Sequence, residues 1–419
     1  MEINDQKQIC FIEPPIGFLK DQLDPPFPLM YLAAVAENAN WQAKIIHMET
    51  LQDKLPNNCD IYAVTSSSPQ WITTLKLSER LHKQFPDKLK ICGGSHISAC
   101  PNDIYNTKFD AAVVGEGEIV LEKILKNPNI LKINRILKGE PIKNIDEILF
   151  PARHLIDWTR YKRGIMAGQE LLTPAVSMIT GRGCPGRCIF CSSHCVFGRR
   201  VRYRSIKNVV EEIKHVIDTL GYRGFNFHDD TFCLNRKRVM KMCEEFMKLD
   251  ISWRCLTRAD TVDEELLSTM KYSGCKEIII GMESGSQTIL NNLRKNTTVE
   301  QNFKAMKMIK KYMQLKVGII IGSPGETWET VEETKKLLRQ CPPDFWNVSV
   351  FTPFPGSDAW NNPEKFRLKI LTKDLKQYQM IGKDLKGTVV IETEEMNKAD
   401  IEQARDELID LLKGISQND

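Results

Sequence analysis

The sequence predicts an α/β protein built in two parts: a doubly wound, Rossmann-like sheet over residues 1–130 and a partial (β/α)6 barrel over residues 174–357. A linker over 131–173 joins them, and a short, mainly helical extension over 358–419 follows. Three observations carry this prediction. Apolar runs of strand length alternate with amphipathic segments, as they do in parallel sheets covered by helices. Small and polar residues collect where those runs stop, the place where α/β folds put their ligands. The chain of 419 residues also exceeds the usual size of one domain.

In the first part the strand candidates are Ile9 to Ile12, Lys44 to His47, Ile61 to Thr65, Leu89 to Cys92 and Ala111 to Val114. Helical patterns lie between them near Leu29 to Asn38, Ile72 to Phe85 and Val120 to Lys126. Three strands end in loops of small residues: Ser66-Ser67-Ser68, Gly93-Gly94-Ser95-His96 and Gly115-Glu116-Gly117-Glu118. From Ile136 to about Thr173 the periodicity fades, and Gly139, Pro141, Pro151 and Gly164 mark an irregular connection.

The second part offers six strands: Val176 to Ile179, Phe225 to His228, Trp253 to Leu256, Glu277 to Gly281, Val317 to Ile321 and Val348 to Phe351. Two of its helices begin with capping boxes, Thr261 with Glu264 and Thr298 with Gln301. Six units without a seventh or eighth describe an open barrel with its chemistry at the carboxyl ends of the strands. There stand His228-Asp229-Asp230, Arg258, Glu283-Ser284 and Gly322-Ser323-Pro324-Gly325-Glu326. In the extension, Ile401, Ala404, Leu408, Leu411 and Leu412 form the apolar stripe of a helix that packs over the barrel.

The sharpest chemical signal follows the first barrel strand, where Cys184 to Cys191 reads C-P-G-R-C-I-F-C. Three thiols so close together converge on one face of an iron–sulfur cluster, since Gly183, Pro185 and Gly186 let the backbone wrap around it. One iron is then left without a protein ligand, an open position for substrate. A zinc site or reduced structural thiols are the alternatives. Cys195 falls in a stretch read as the start of a new element. The other cysteines are read as buried thiols, with Cys195 and Cys233 near the barrel mouth as candidate substrate contacts.

Charge excludes little, because 58 Lys and Arg against 54 Asp and Glu leave +4. The run Arg199-Arg200-Val201-Arg202-Tyr203-Arg204 reads as a substrate-phosphate site, or as a solvated face or interdomain contact, and nucleic acid is not indicated. Thirteen scattered cysteines and no apolar leader after Met1 point to a reducing, cytoplasmic setting. No apolar run reaches the roughly 18 residues of a membrane span.

These residues resemble the radical S-adenosylmethionine (SAM) superfamily, in the branch with an N-terminal cobalamin-binding domain. The resemblance rests on the cysteine motif with Phe190 before its last cysteine, on Thr352-Pro353-Phe354-Pro355-Gly356-Ser357, and on Ser66 to Ser68 followed by Gly93-Gly94. It implies a [4Fe–4S] cluster on Cys184, Cys188 and Cys191, with SAM chelating the open iron and yielding a 5′-deoxyadenosyl radical. It also implies an electron donor such as flavodoxin or ferredoxin. Charge and reach then suggest SAM contacts: Asp229 or Asp230 for the ammonium, Arg258 for the carboxylate, and Glu283 and Ser284 for the ribose or the methionyl end. Gly322, in the run from Gly318, suits the adenine, and Phe190 lies within the cluster loop.

For cobalamin the resemblance implies Ser66, Ser68, Gly93, Gly94 and Gly115. The expected D-x-H-x-x-G loop reads Glu13-Pro14-Pro15-Ile16-Gly17-Phe18-Leu19-Lys20-Asp21 and holds no histidine, so the lower axial ligand is missing. His96 is read as a surface or interdomain residue. The functional expectation is cobalamin-dependent methylation of an unactivated carbon in a small molecule or peptide. A cobalamin-independent radical rearrangement, cyclisation or epimerisation is one alternative, and a non-catalytic iron–sulfur or nucleic-acid-binding protein is another.

Overall fold

The structure is a computed structural model that describes residues 6–15, 25–161, 165–167, 170–172, 175–379 and 386–416. Parts of the expected axial-ligand loop (16–24) and of the linker (162–164, 168–169 and 173–174) lie outside the described residues. The chain divides into two compact units. The first holds residues 1–161 with 192–198 and 374–376, and the second holds the rest.

The first unit is a six-stranded parallel sheet in the order β2-β1-β3-β4-β5-β6. Its strands are β1 (Gln8–Glu13), β2 (Gln42–His47), β3 (Ile61–Thr65), β4 (Leu89–Gly93), β5 (Ala111–Gly115) and β6 (Ile136–Gly139). The order reverses between β1 and β3, so their carboxyl ends form a crevice of the doubly wound type. One core binds the sheet to its helices: Ile9, Phe11, Ile61 and Ile91 pack with Leu29, Ala33, Val120 and Ile124. Pro28 in the first turn of helix Phe27–Asn38 sets φ without removing a needed donor.

Strand β6 corrects the reading of residues from Ile136 as irregular linker. It pairs in parallel with β5, from Ala112 with Ile136 to Gly115 with Gly139. An edge strand of four residues, none fully buried, carries no apolar run for periodicity to detect. Gly139 has to be glycine, because a Cβ there would lie 1.8 Å from the Glu116 carbonyl oxygen. The new element after the cysteine motif is helix His194–Phe197, which packs on helix Ser95–Ala99. Cys195 therefore groups with this unit.

The second unit is a six-stranded parallel sheet whose order follows the chain: β7 (Ala175–Met178), β8 (Gly224–Phe227), β9 (Ser252–Thr257), β10 (Cys275–Glu283), β11 (Gln314–Ile321) and β12 (Phe345–Val350). With β7 and β12 at its two edges the barrel is open. Alternation along the strands separates two faces. In β11 the side chains of Leu315, Val317, Ile319 and Ile321 are buried, while Gln314, Lys316, Gly318 and Ile320 on the other face are only partly covered. Phe227 stacks on Phe232 and Phe246, with centroids 5.1 and 5.6 Å away, and meets Trp253 edge-on, which locks β8 and β9 to their helices.

Thr298 and Gln301 form the expected capping box. Thr261 does not cap a helix: it lies in a short 3-10 turn, and Asp263 caps helix Glu264–Tyr272 by accepting from the Leu266 amide. Both residues fit the capping preference, and only the path of the chain distinguishes them. Cys233 is buried against Met270, 3.9 Å between sulfurs, and is no candidate for substrate contact. The C-terminal helix Lys398–Ser416 buries Ile401, Ala404, Leu408, Ile409 and Leu412 beside β12 and helix Trp328–Gln340, with Leu411 at the margin. A two-stranded ribbon, Lys369–Ile370 with Ile391–Glu392, precedes it. Among the described residues no helix is long and apolar enough to cross a membrane.

Candidate functional site

The loop bearing the three thiols leaves β7 through Gly181–Arg182, which pairs antiparallel with Arg202–Tyr203 and so closes the base of the excursion. Gly183 turns it with φ +96°, a value that disfavours any side chain. Ile189, fully buried, pins its middle: its amide donates to the Leu293 carbonyl (3.1 Å), and its carbonyl accepts from Ala359 (3.0 Å). Cys184, Cys188 and Cys191 are half-buried thiols outside any disulfide in the loop around this anchor, which also carries half-buried Phe190. The Gly186 amide points at the Cys184 sulfur (3.4 Å), and a Cβ on Gly186 would lie 3.2 Å from that sulfur and 4.0 Å from that of Cys188. Two sulfurs thus flank a cradle that a single methyl group would obstruct, with Cys191 an electrostatic neighbour of Cys188, although among the described residues no three side chains are closed into a metal-holding set.

Asp229 and Asp230, at the end of β8, separate in role. Asp229 is buried and accepts from both the amide and the hydroxyl of Thr180, each at 2.6 Å. Burial pushes its carboxyl up, and these hydrogen bonds with Arg238 hold it back. It anchors the approach to the cysteine loop. Asp230 is raised by burial and by Asp229, while the Gly183 amide lowers it, so this carboxyl is the one beside the loop itself.

Glu283 ends β10 in the left-handed region, φ +63°, after a register shift against β11. Its carboxylate meets Lys295 at 2.6 Å, both side chains 9 % exposed. The pair folds back over Gly281, where a Cβ would fall 2.2 Å from the carboxylate and 2.7 Å from the ammonium. Lys295 escapes a reading of the sequence because it belongs to no strand end, and tertiary folding alone brings it to Glu283. Burial raises the Cys188 thiol, and among its charged neighbours Lys295 and Arg258 lower it while Glu283 raises it. Arg258 is held by Asp260 (2.9 Å) and the Asn296 carbonyl (3.2 Å). The cluster loop, the Glu283–Lys295 pair and Arg258 thus form one electrostatic neighbourhood.

Ser284 lies behind this surface. It is fully buried, with its hydroxyl on Thr334 (3.2 Å) and the Ser286 amide (3.1 Å). Gly322 turns with φ +81°, and a Cβ there would strike Ile401 at 2.9 Å. Its amide and that of Ser323 donate to Glu326 at 2.5 and 3.1 Å. Glu326 is fully buried, which pushes its carboxyl up to about 7 against those two hydrogen bonds.

In the first unit the small-residue loops stand at the carboxyl ends of β3, β4 and β5 as expected, but their hydroxyls face the protein. Ser66 meets Thr74 (2.9 Å), and Ser68 meets His96 (3.1 Å). His96 is fully buried, not at a surface: its other nitrogen meets Asp103 (3.0 Å), and Trp71 stacks on its ring (4.2 Å). A ring with both nitrogens committed is no ligand for cobalt. Gly94, φ +98°, lies where a Cβ would come within 2.7 Å of the Ser66 backbone. Gly93 has ordinary space, and Gly115, φ +81°, donates to Ser98 (3.0 Å). Gly94 is thus required by its positive φ and by close approach to the Ser66 backbone, and Gly115 by its positive φ beside Gly139.

The family model for the radical SAM superfamily matches residues 178–338. The model for the B12 binding domain matches residues 23–125. An uncharacterized methyltransferase of Pyrococcus horikoshii is 31 % identical over 86 % of this chain and 83 % of its own length. An anaerobic magnesium-protoporphyrin IX monomethyl ester cyclase of Cereibacter sphaeroides is 27 % identical over 85 % of this chain and 63 % of its own. The fold is similar to that of the radical SAM methyltransferase TsrM from Kitasatospora setae, solved with cobalamin and a [4Fe-4S] cluster, with a TM-score of 0.69 at 14 % identity over 98 % of this chain and 89 % of that one.

Proposed function

We propose, from the premise that this chain belongs to the radical SAM superfamily in the branch that carries a B12-binding domain, that it is a cobalamin-dependent methyltransferase acting on an unactivated carbon. The observation that carries this reading is the pinned loop of three thiols facing the buried Glu283–Lys295 pair.

When bound, a [4Fe–4S] cluster supplies the electron that opens the carbon–sulfur bond of SAM, and cobalamin supplies the methyl carrier. The residues of the chain position and exclude. Cys184, Cys188 and Cys191 would hold the cluster. Ile189 fixes where they stand, and Asp229 holds the strand end they spring from. Asp230 accepts from the methionyl ammonium of SAM, and Arg258 and Lys295 balance its carboxylate. Glu283, set by its backbone and by Lys295, accepts from a hydroxyl or the ammonium. Gly322 gives the adenine a surface without a side chain, backed by Ile401. The glycines after β4 and β5 admit the corrinoid.

Incubation of the anaerobically reconstituted protein with hydroxocobalamin and methyl-labelled SAM tests the reading. Corrinoid absorbance retained through gel filtration, with label in the product, is the expected result. SAM cleavage without retained corrinoid or transferred label overturns it in favour of a radical cyclisation or rearrangement, the class to which the similar cyclase draws attention.

A further inference from the structure

The face of the barrel sheet turned away from the buried apolar side chains carries a cation that forms no ion pair with any described residue. Toward the amino ends of the strands, Asn226, Arg254 and Glu277 stand in register across β8, β9 and β10. They form a hydrogen-bonded set: Arg254 donates to Asn226 (3.1 Å) and to Glu277 (3.2 Å), and the Asn226 amide reaches His228 Nε2 (2.8 Å), which also meets the Ser177 hydroxyl (3.0 Å). One step toward the carboxyl ends, the row reads Leu256, Ile279, Lys316 and Phe345. This row is apolar apart from Lys316. Leu256 is 40 % exposed, large for an aliphatic side chain on an inner strand.

Lys316 makes no hydrogen bond or ion pair with any described residue, and it is half-buried. Glu277, the nearest acid acting on it, already holds Arg254. Burial lowers its ammonium from the ordinary lysine value, and Arg254 adds to the same effect. Beyond it along β11 stands Gly318, in register with Gly281, and a Cβ there would meet nothing nearer than 3.9 Å. A methyl group at Gly318 would therefore fit in ordinary contact with Gly281 and the Glu283 carboxylate, and glycine keeps that side chain from standing between Lys316 and Glu283.

We propose that this face binds the substrate, and that the substrate is an apolar molecule bearing a carboxylate or phosphate whose negative charge pairs with Lys316 while its hydrocarbon lies on Leu256, Ile279 and Phe345. A partly desolvated ammonium gains more from an anion than a surface lysine does. Exposed Leu256 offers contact that water does not. Arg254 and His228, held by Asn226 and Glu277, form the rigid floor. The inference rests on the methyltransferase reading only in calling the ligand a substrate.

Equilibrium dialysis of the reconstituted full-length protein tests it with octanoate and octyl phosphate as probes and with octanol and octylammonium as controls. At least one anionic probe is expected to bind about tenfold or more tightly than octanol, with octylammonium weakest. The stronger of the two anions identifies carboxylate or phosphate. The preference disappears in Lys316→Met and survives in Lys316→Arg, with circular dichroism confirming that each variant folds. Equal binding of octanoate, octyl phosphate and octanol, or a preference that survives in Lys316→Met, overturns the inference. Should Lys316→Met fail to fold, amine labelling of Lys316 in the wild type decides: protection by the tighter anion supports it, and no protection overturns it. Binding through Lys316 without transfer of labelled methyl leaves this inference standing and removes the methyltransferase reading, and the reverse result does the opposite.

Discussion

Replacing Glu326 by Gln isolates a carboxyl group that the fold holds away from water. Its ordinary value is 4.5, and burial pushes it up to about 7 in the folded chain. Each tenfold change in proton affinity is worth about 1.4 kcal/mol, so the rise corresponds to about 3 kcal/mol. Below pH 4.5 the group is protonated in both states and contributes no pH dependence. Between pH 4.5 and about 7 the unfolded chain releases the proton and the folded chain keeps it. Folding stability therefore falls as pH rises through that window and is level above it. A glutamine keeps one oxygen for the Gly322 and Ser323 amides and does not titrate. It places an NH2 where Glu326 Oε1 has no partner among the described residues, at a cost of about 1–3 kcal/mol that does not vary with pH. The quantity to measure is the difference in unfolding free energy between wild type and Glu326→Gln, from urea titrations at pH 5, 6, 7 and 8. It should shift in favour of the variant by about 2–3 kcal/mol from pH 5 to pH 8. A difference that stays constant with pH would falsify the burial argument for this carboxyl.

Three further outcomes follow from the same geometry. Cys184→Ala, Cys188→Ala and Cys191→Ala should each cut the iron retained after anaerobic reconstitution by about tenfold or more, measured by a colorimetric iron assay, and unchanged iron in any of them removes that thiol from the ligand set. Lys295→Met leaves the Glu283 carboxylate buried without its partner and should cost about 3–5 kcal/mol in denaturant unfolding, with part of the loss recovered in the double variant with Glu283→Gln. A cost under about 1 kcal/mol would show the pair to be screened by water. Gly94→Ala forces a side chain into φ +98° and against the Ser66 backbone. It should destabilise the first unit by about 1–3 kcal/mol and lower hydroxocobalamin retention by absorbance, and normal retention would place the corrinoid away from this turn.

Some features were legible because their causes are local. The C-x3-C-x2-C spacing declares its chemistry within eight residues, and the strands of both sheets show as short apolar runs because each is covered by helices. The misses have the opposite character. Strand β6 is a half-exposed edge without an apolar run, and Asp263 takes the cap from Thr261 because the chain first makes a 3-10 turn. His96 looked like a loop histidine, but Trp71 and Asp103 enclose it from elsewhere in the chain.

The amino-acid sequence by itself determined the fold class, the six-strand barrel and where the three thiols crowd together, since each follows from spacing along the chain. Only the tertiary structure decided how the charges are shared. It gave Glu283 its lysine, turned Asp229 inward to Thr180, satisfied Ser66 and Ser68 within the protein, and left Lys316 to share Glu277 with Arg254. Pairing energy depends on distance and burial between residues far apart in sequence, and neither quantity exists until the strands are in register.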